Sequence, residues 1–299
     1  MNKLPLGTRV QILFMLCEGS STRAISRVAD VSINTVSKLL VDAGTACVAF
    51  HNEKVRGVKA KRVQCDEIWA FKHCKQKRVA TAKAPPPGAG DTWTWTAIET
   101  ESKLIVSWLV GDRDSGTAIE FMDDLRFRLA NRVQLTTDGH KAYLEAVEGA
   151  FGGDVDYAQI VKLYGQALES LKGRYSPPEC TGIRKIPIEG SPDPKHISTS
   201  FVERSNLTMR MSMRRFTRLT NAHSKKVANH CHALAIHFVW YNWARINSAV
   251  RMSPAMAAGL TDTLLSMTDI AEMVEAILPK PGPRGSYKTH GAESVQNSN

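Results

Sequence analysis

The chain has 299 residues, of which 43% are hydrophobic and 23% charged. That is enough to bury a sizeable core in one large and one small domain, and it excludes a peptide, a solenoid and a wholly disordered chain. Thirty-nine Lys and Arg against 29 Asp and Glu leave a formal charge of +10 and a pI near 9.4, which favours a polyanionic partner, either nucleic acid or an acidic membrane surface.

Residues 1–50 are expected to form a helical unit. Val10, Ile12, Leu13 and Leu16 recur at helical spacing, and Glu18-Gly19-Ser20 supplies a stop. Ser21 to Ala29 follows as a second helix, and Asp30-Val31-Ser32 makes a tight turn. Ile33 to Ala43 is the third, with Ser32 as its N-cap and Gly44 as its stop. This pattern predicts a helix-turn-helix in which Ala24, Ile25 and Val28 pack on Val36, Leu39 and Leu40. Asn34, Thr35, Ser37 and Lys38 are then left to meet DNA. A trihelical unit of this kind can also be a packing element without DNA contact.

A basic linker, 51–62, leads into a predicted catalytic domain over 63–250. Val63 to Phe71, Thr92 to Glu99 and Leu104 to Val110 read as three antiparallel strands, Thr117 to Ala130 as a helix, and Val133 to Thr137 as a fourth strand. Lys141 to Phe151 is helical, and Tyr157 to Tyr164 can be a fifth strand. Residues 166–200, with five prolines, are expected to be an irregular insertion. Two long helices follow, Ser200 to Leu219 and Lys225 to Asn247. This order is that of an RNase H-like α/β domain, a mixed five-stranded sheet flanked by helices. A helical segment over 251–278 and a disordered tail over 279–299 complete the expectation.

Ala233 to Trp243 is interrupted by His237 and Asn242 and is too short for a bilayer, so no membrane partner is expected. The six cysteines, Cys17, Cys47, Cys65, Cys74, Cys180 and Cys231, stand far apart without a CxxC pair. They read as reduced thiols of a cytoplasmic, nucleoid-associated protein, with no zinc site.

Metal-assisted phosphoryl transfer needs carboxylates converging from separate elements, because Mg²⁺ takes hard oxygen ligands. Asp66 lies in a strand of otherwise mostly apolar or neutral residues, where an acid is costly unless paired. Strand alternation sends Glu67 to the other face, so only one of the two is expected in a given cluster, and Asp66 is the choice. Asp138 ends the fourth strand, at the sheet edge where α/β sites collect. Glu203 opens a late helix on which Glu203, Leu207, Arg210 and Arg214 share one face, and Val202, Met209, Met213 and Phe216 another. Taken singly, Asp138 reads equally as a turn residue and Glu203 as a first-turn acid, but three bland explanations would have to coincide on one predicted sheet. His140, close to Asp138, reads as a capping or packing residue that could also position water. Phe201 to Lys226 carries seven basic residues, including Arg204, Arg210, Arg214, Arg215 and Arg218, against Glu203 alone, and suits a DNA rail. Lys54 to Lys83 carries ten more against two acids, Asp66 and Glu67.

Four segments, QCDEIW around Asp66, TTDGHKAY around Asp138, SFVERSNLTMR with Glu203 and Arg210, and the later HFVWYNWARIN, carry a resemblance. In this order the chain resembles the insertion-sequence-one family of bacterial transposases, within the DDE group. The resemblance implies Asp66, Asp138 and Glu203 as catalytic ligands of two Mg²⁺ (or Mn²⁺) ions. It also implies double-stranded DNA partners, both terminal inverted repeats and target DNA, and a homo-oligomer on DNA. Cleavage would free 3′-hydroxyls that attack the target. Many relatives carry a Cys-rich zinc segment at the N-terminus, and the cysteines here lack its spacing. Two other readings stay open: an inactive DNA-binding remnant, and an RNase H-like nuclease without strand transfer.

Overall fold

The computed structural model describes residues 4–165, 180–217 and 223–277. The expected tail over 279–299, Arg218 and much of the expected insertion lie outside them. Helix α1 (Leu6–Cys17), α2 (Thr22–Val28) and α3 (Ile33–Lys54) open the chain. Ser32 caps α3 as anticipated, its hydroxyl accepting from the Thr35 amide, whereas Ser21, expected inside the second helix, is the cap of α2 and accepts from the Ala24 amide.

Gly44 does not end α3, which runs on to Lys54, so the expected boundary at residue 50 falls inside a helix. The glycine instead lets another helix approach. A Cβ at position 44 would lie 2.3 Å from His232 Cβ on α7 (Val227–Val239). Gly44→Leu is therefore expected to destabilise the protein by about 3 kcal/mol or more through overpacking, read as a lowered midpoint in urea with an unchanged slope. The expected packing of Val28 is also corrected. Its side chain is 61% exposed, and Ile25 alone makes the fully buried contact from α2.

By length and composition α3 could cross a membrane. Here its apolar face is covered by α1, α2, α7 and α9 (Met267–Ile277), and Leu39, Leu40, Ala43 and Cys47 belong to the main core. That one core extends from Ile12 to Val274, so the N-terminal helices share it with the sheet and with α9. Arg9 of α1 reaches the Ala271 carbonyl and the Glu275 carboxylate on α9.

Among the described residues six strands form one mixed sheet in the order β3-β2-β1-β4-β5-β6. They are β1 (Arg62–Lys72), β2 (Gly90–Glu99), β3 (Ile105–Gly111), β4 (Gln134–Asp138), β5 (Asp156–Tyr164) and β6 (Cys180–Glu189). The first three make the anticipated antiparallel meander, while β4 runs parallel to β1 and to β5. The expected count of five strands is one short, because β6 lies in the segment read as irregular. Gly182 and Pro187 disguise it, and most of its side chains are exposed. An edge strand tolerates such residues, since one side of its backbone needs no partner. At the opposite edge Asn242 closes the sheet: its Oδ1 accepts from the Ile105 amide at 3.0 Å and its Nδ2 donates to the Ile105 carbonyl at 2.9 Å.

Helix α4 (Ser115–Arg128) and α5 (Ala142–Phe151) cover one face, where Trp95 meets Phe121 and Tyr143 with ring centroids 5.9 and 5.2 Å apart. Helix α6 (Ser200–Ser212) covers the other, against β1 and β2. It is shorter than predicted. The chain leaves the helix at Met213 and makes a tight turn over Arg214–Phe216, which buries Met213 and Phe216. Arg214 accordingly leaves the helix that carries Glu203. The predicted helix Lys225 to Asn247 starts at Val227 and loosens into a π-helical turn over Trp240–Ala244.

Candidate metal centre

The ladder between β1 and β4 ends at the pair Gln64 and Thr136, so Asp66, midway along β1, and Asp138, the last residue of β4, stand just beyond it on adjacent parallel strands. Glu203 approaches from α6, one turn into the helix. What places that turn is Gln64, a buried β1 residue whose Oε1 accepts from the Phe201 and Val202 amides at 2.8 and 3.2 Å. These amides are unsatisfied donors of the first turn, so a side chain of β1 caps the helix that brings Glu203 to β1. Asn206, three residues on, donates to Asp66 Oδ2 at 2.8 Å.

Asp66, Asp138 and Glu203 line one cavity of about 340 Å³, together with Gly139, Ile160, Val161, Lys162, Tyr164 and Thr199. Within it Glu203 accepts from Lys162 Nζ at 2.5 Å and from Thr199 Oγ1 at 2.6 Å. Burial works against the Lys162 ammonium, but the Glu203 carboxylate outweighs it and raises its pKa. Asp138 accepts from the His140 amide at 3.0 Å and faces Arg113 Nη2 at 3.3 Å. The His140 ring titrates below the usual range because of burial and then the Arg113 charge.

Glu67 corrects the expectation that only one of the neighbouring acids joins the cluster. Alternation does hold: Asp66 faces α6, and Glu67 faces the side of α5 and Arg113. Asp138, however, stands at the strand end, within reach of both. Carboxylate oxygens of Asp66, Glu67 and Asp138 lie within 4.8 Å of one another, the spacing of a shared cation. The cluster is electrostatically uncomfortable. Burial, then Asp138 and Glu203, push the Asp66 carboxyl up to about 6, against the pull of the Asn206 hydrogen bond. Burial and Asp138 push Glu67 up to about 8, with Arg113 pulling the other way.

The donor set fits a divalent ion with hard-oxygen preference. The acids converge at the end of a sheet, and Glu67 Oε1 is buried with no hydrogen-bond partner among the described residues. Sequence reasoning missed Gln64, Asn206 and Lys162. A Gln in a buried strand was the available signal for the first, and the i to i+3 spacing from Glu203 for the second.

The residues expected to contact DNA are dispersed. Arg204 and Arg210 are exposed on α6, and Asn34 and Lys38 are exposed on α3, where Lys38 pairs with Asp42 at 2.6 Å. Thr35 and Ser37 are half-buried, and the Thr35 hydroxyl bonds Ser32. Arg215 departs from the expectation. Its guanidinium donates to the Ser224 hydroxyl and the Asn229 carbonyl, both at 3.1 Å, and so ties the turn after α6 to α7.

No protein-family model matches the sequence, and no curated protein sequence matches it. Among solved structures the chain is similar to the cryo-EM structure of the piggyBac transposase synaptic complex with hairpin DNA. The identity is 10%, the match covers 90% of this chain and 69% of that one, and the TM-score is 0.39. It is also similar to the crystal structure of the Mos1 mariner paired end complex with Mn, at 13% identity and a TM-score of 0.20. That match covers 50% of this chain and 59% of the other. A pre-cleavage Mos1 transpososome gives 11% identity and the same TM-score, 0.20, over 52% of this chain and 60% of that one. Overlap of this extent leaves the function to be read from the site itself.

Proposed function

We propose that this protein is a DNA transposase of the DDE type, with an RNase H-like catalytic sheet and kinship to the insertion-sequence-one family. It would cleave the ends of its own element and join their 3′-hydroxyls to target DNA. The observation that carries this reading is the meeting of Asp66, Asp138 and Glu203, distant along the chain, around one cavity at the carboxyl edge of the sheet.

Asp66, Asp138 and Glu203 would hold Mg²⁺ or Mn²⁺, which supplies Lewis-acid stabilisation of the phosphate and an activated water or 3′-hydroxyl. The protein's own contribution is positioning. Gln64 fixes α6, Asn206 holds the Asp66 carboxylate in one rotamer, and the His140 amide does the same for Asp138. Lys162 keeps a positive charge inside the cavity, where it would meet a phosphate oxygen of the bound strand. Arg204 and Arg210 would carry the flanking duplex along the outer side of α6, and the face of α3 with Asn34 and Lys38 would read the terminal repeats as a helix-turn-helix. Bringing two DNA ends and a target together calls for more than one copy of the chain, so a homo-oligomer on DNA belongs to the same proposal.

The test is a Mg²⁺-dependent cleavage and joining assay on the DNA that flanks the reading frame. Joined products are expected from the wild type, and neither nicks nor joints from folded Asp66→Ala or Glu203→Gln. Nicks without joints would favour a nuclease. Binding without nicks, even in Mn²⁺, would leave a DNA-binding module.

A further inference from the structure

The described residues hold a fourth acid at the centre, one that the three-carboxylate reading does not use. We propose that Glu67 is itself a cation ligand, forming with Asp66 and Asp138 a seat on the α5 side of β1; this rests on the metal-dependent reading above.

Three observations support it. A carboxylate oxygen of Glu67 lies within 4.8 Å of oxygens of both Asp66 and Asp138. Its side chain is only 1% exposed, and Oε1 has no hydrogen-bond partner within 3.5 Å among the described residues. Among the described residues its one ion pair is loose, with Arg113 Nε 3.5 Å from Oε2, and the Arg113 side chain is 38% exposed. A carboxylate this deeply buried costs several kcal/mol unless its lone pairs are filled, and a long contact to a half-solvated guanidinium does not fill them. Glu67 is instead turned toward two other carboxylates, an arrangement that a bound cation relieves without protonation. Arg113, which also faces Asp138 at 3.3 Å, supplies partial neutralisation and is exposed enough to withdraw when an ion enters.

The experiment is a Mn²⁺ titration of the full chain without DNA, with free Mn²⁺ followed by electron paramagnetic resonance and folding by circular dichroism. Glu67→Gln, which keeps size and removes charge, is expected to weaken Mn²⁺ binding at least about tenfold. Glu67→Asp keeps the charge with a shorter reach and is expected to fall between the two. Asp66→Asn runs alongside. If Asp66→Asn weakens binding while both Glu67 variants bind as the wild type does, the Glu67 inference is overturned and the three-carboxylate reading stands. If Asp66→Asn also binds normally, the metal reading of the whole site fails with it.

Discussion

Stripped of divalent cations, the protein is expected to lose stability as the pH rises from 7 to 8, by roughly 0.5 kcal/mol net, and to regain it when Mg²⁺ or Mn²⁺ is added. The source is Glu67. Its carboxyl titrates near 4.5 in an unfolded chain and at about 8 in the folded one. Between those values the folded state keeps a proton that the unfolded state has released, so raising the pH favours unfolding until the folded carboxyl also ionises. Asp66 acts in the same direction over a lower window, from 3.8 to about 6. Buried His51, His230 and His237 oppose both: burial lowers each to about 3, so below 6.5 the unfolded state takes up protons that the folded state refuses. That opposition fades as the pH passes about 7, where most unfolded imidazoles have lost their proton, and the remaining decline belongs to the acid. Urea midpoints in chelator at pH 7, 7.5 and 8 measure it. A flat profile, or the same decline in Glu67→Gln, would remove Glu67 as its cause.

Much of this arrangement was legible in the amino-acid order, and the parts that were not share a physical reason. Strand alternation, helical spacing and Ser caps act locally, so β1 to β5, α4, α5 and the capped start of α3 could be read from neighbouring residues. Gly44 reads as a stop because the helix that presses on it, α7, is nearly 190 residues away. Val28 follows the apolar spacing of α2 and is still 61% exposed, while Ile25 is fully buried. β6 hides behind Gly182 and Pro187, which are breakers in a central strand and harmless at an edge. At the site, Asp66 announces itself as an acid inside an otherwise mostly apolar or neutral strand and Asp138 as an acid at a strand end. The recruitment of Glu67 depends on how far β1 and β4 diverge past Thr136, which no periodicity encodes. Arg215 belongs to a basic run whose composition suits DNA, and only its contacts with Ser224 and Asn229 assign it to packing.

Replacing Asp138 by Asn is expected to reduce end cleavage and joining at least about 100-fold while making the metal-free protein more stable at pH 8, by about 0.5–2 kcal/mol. The two effects have one origin. Asp138 is the charge that presses on both neighbours, raising the Asp66 and Glu67 carboxyls, and a neutral amide of the same shape removes that pressure. Little is lost in exchange. The Asn oxygen can still accept from the His140 amide, and the forfeited contact with Arg113 is a 3.3 Å pair between partly exposed groups, worth under about 1 kcal/mol. Added Mg²⁺ should then stabilise the variant far less than the wild type, because the converging negative charge that attracts the ion has been thinned. Melting curves with chelator and with Mg²⁺, paired with the joining assay, read all three quantities. If Asp138→Asn lost stability in chelator, Asp138 would be a strand-end cap with a structural duty. If it gained stability and still joined DNA at the wild-type rate, the carboxylate cluster would carry strain without using it in the reaction.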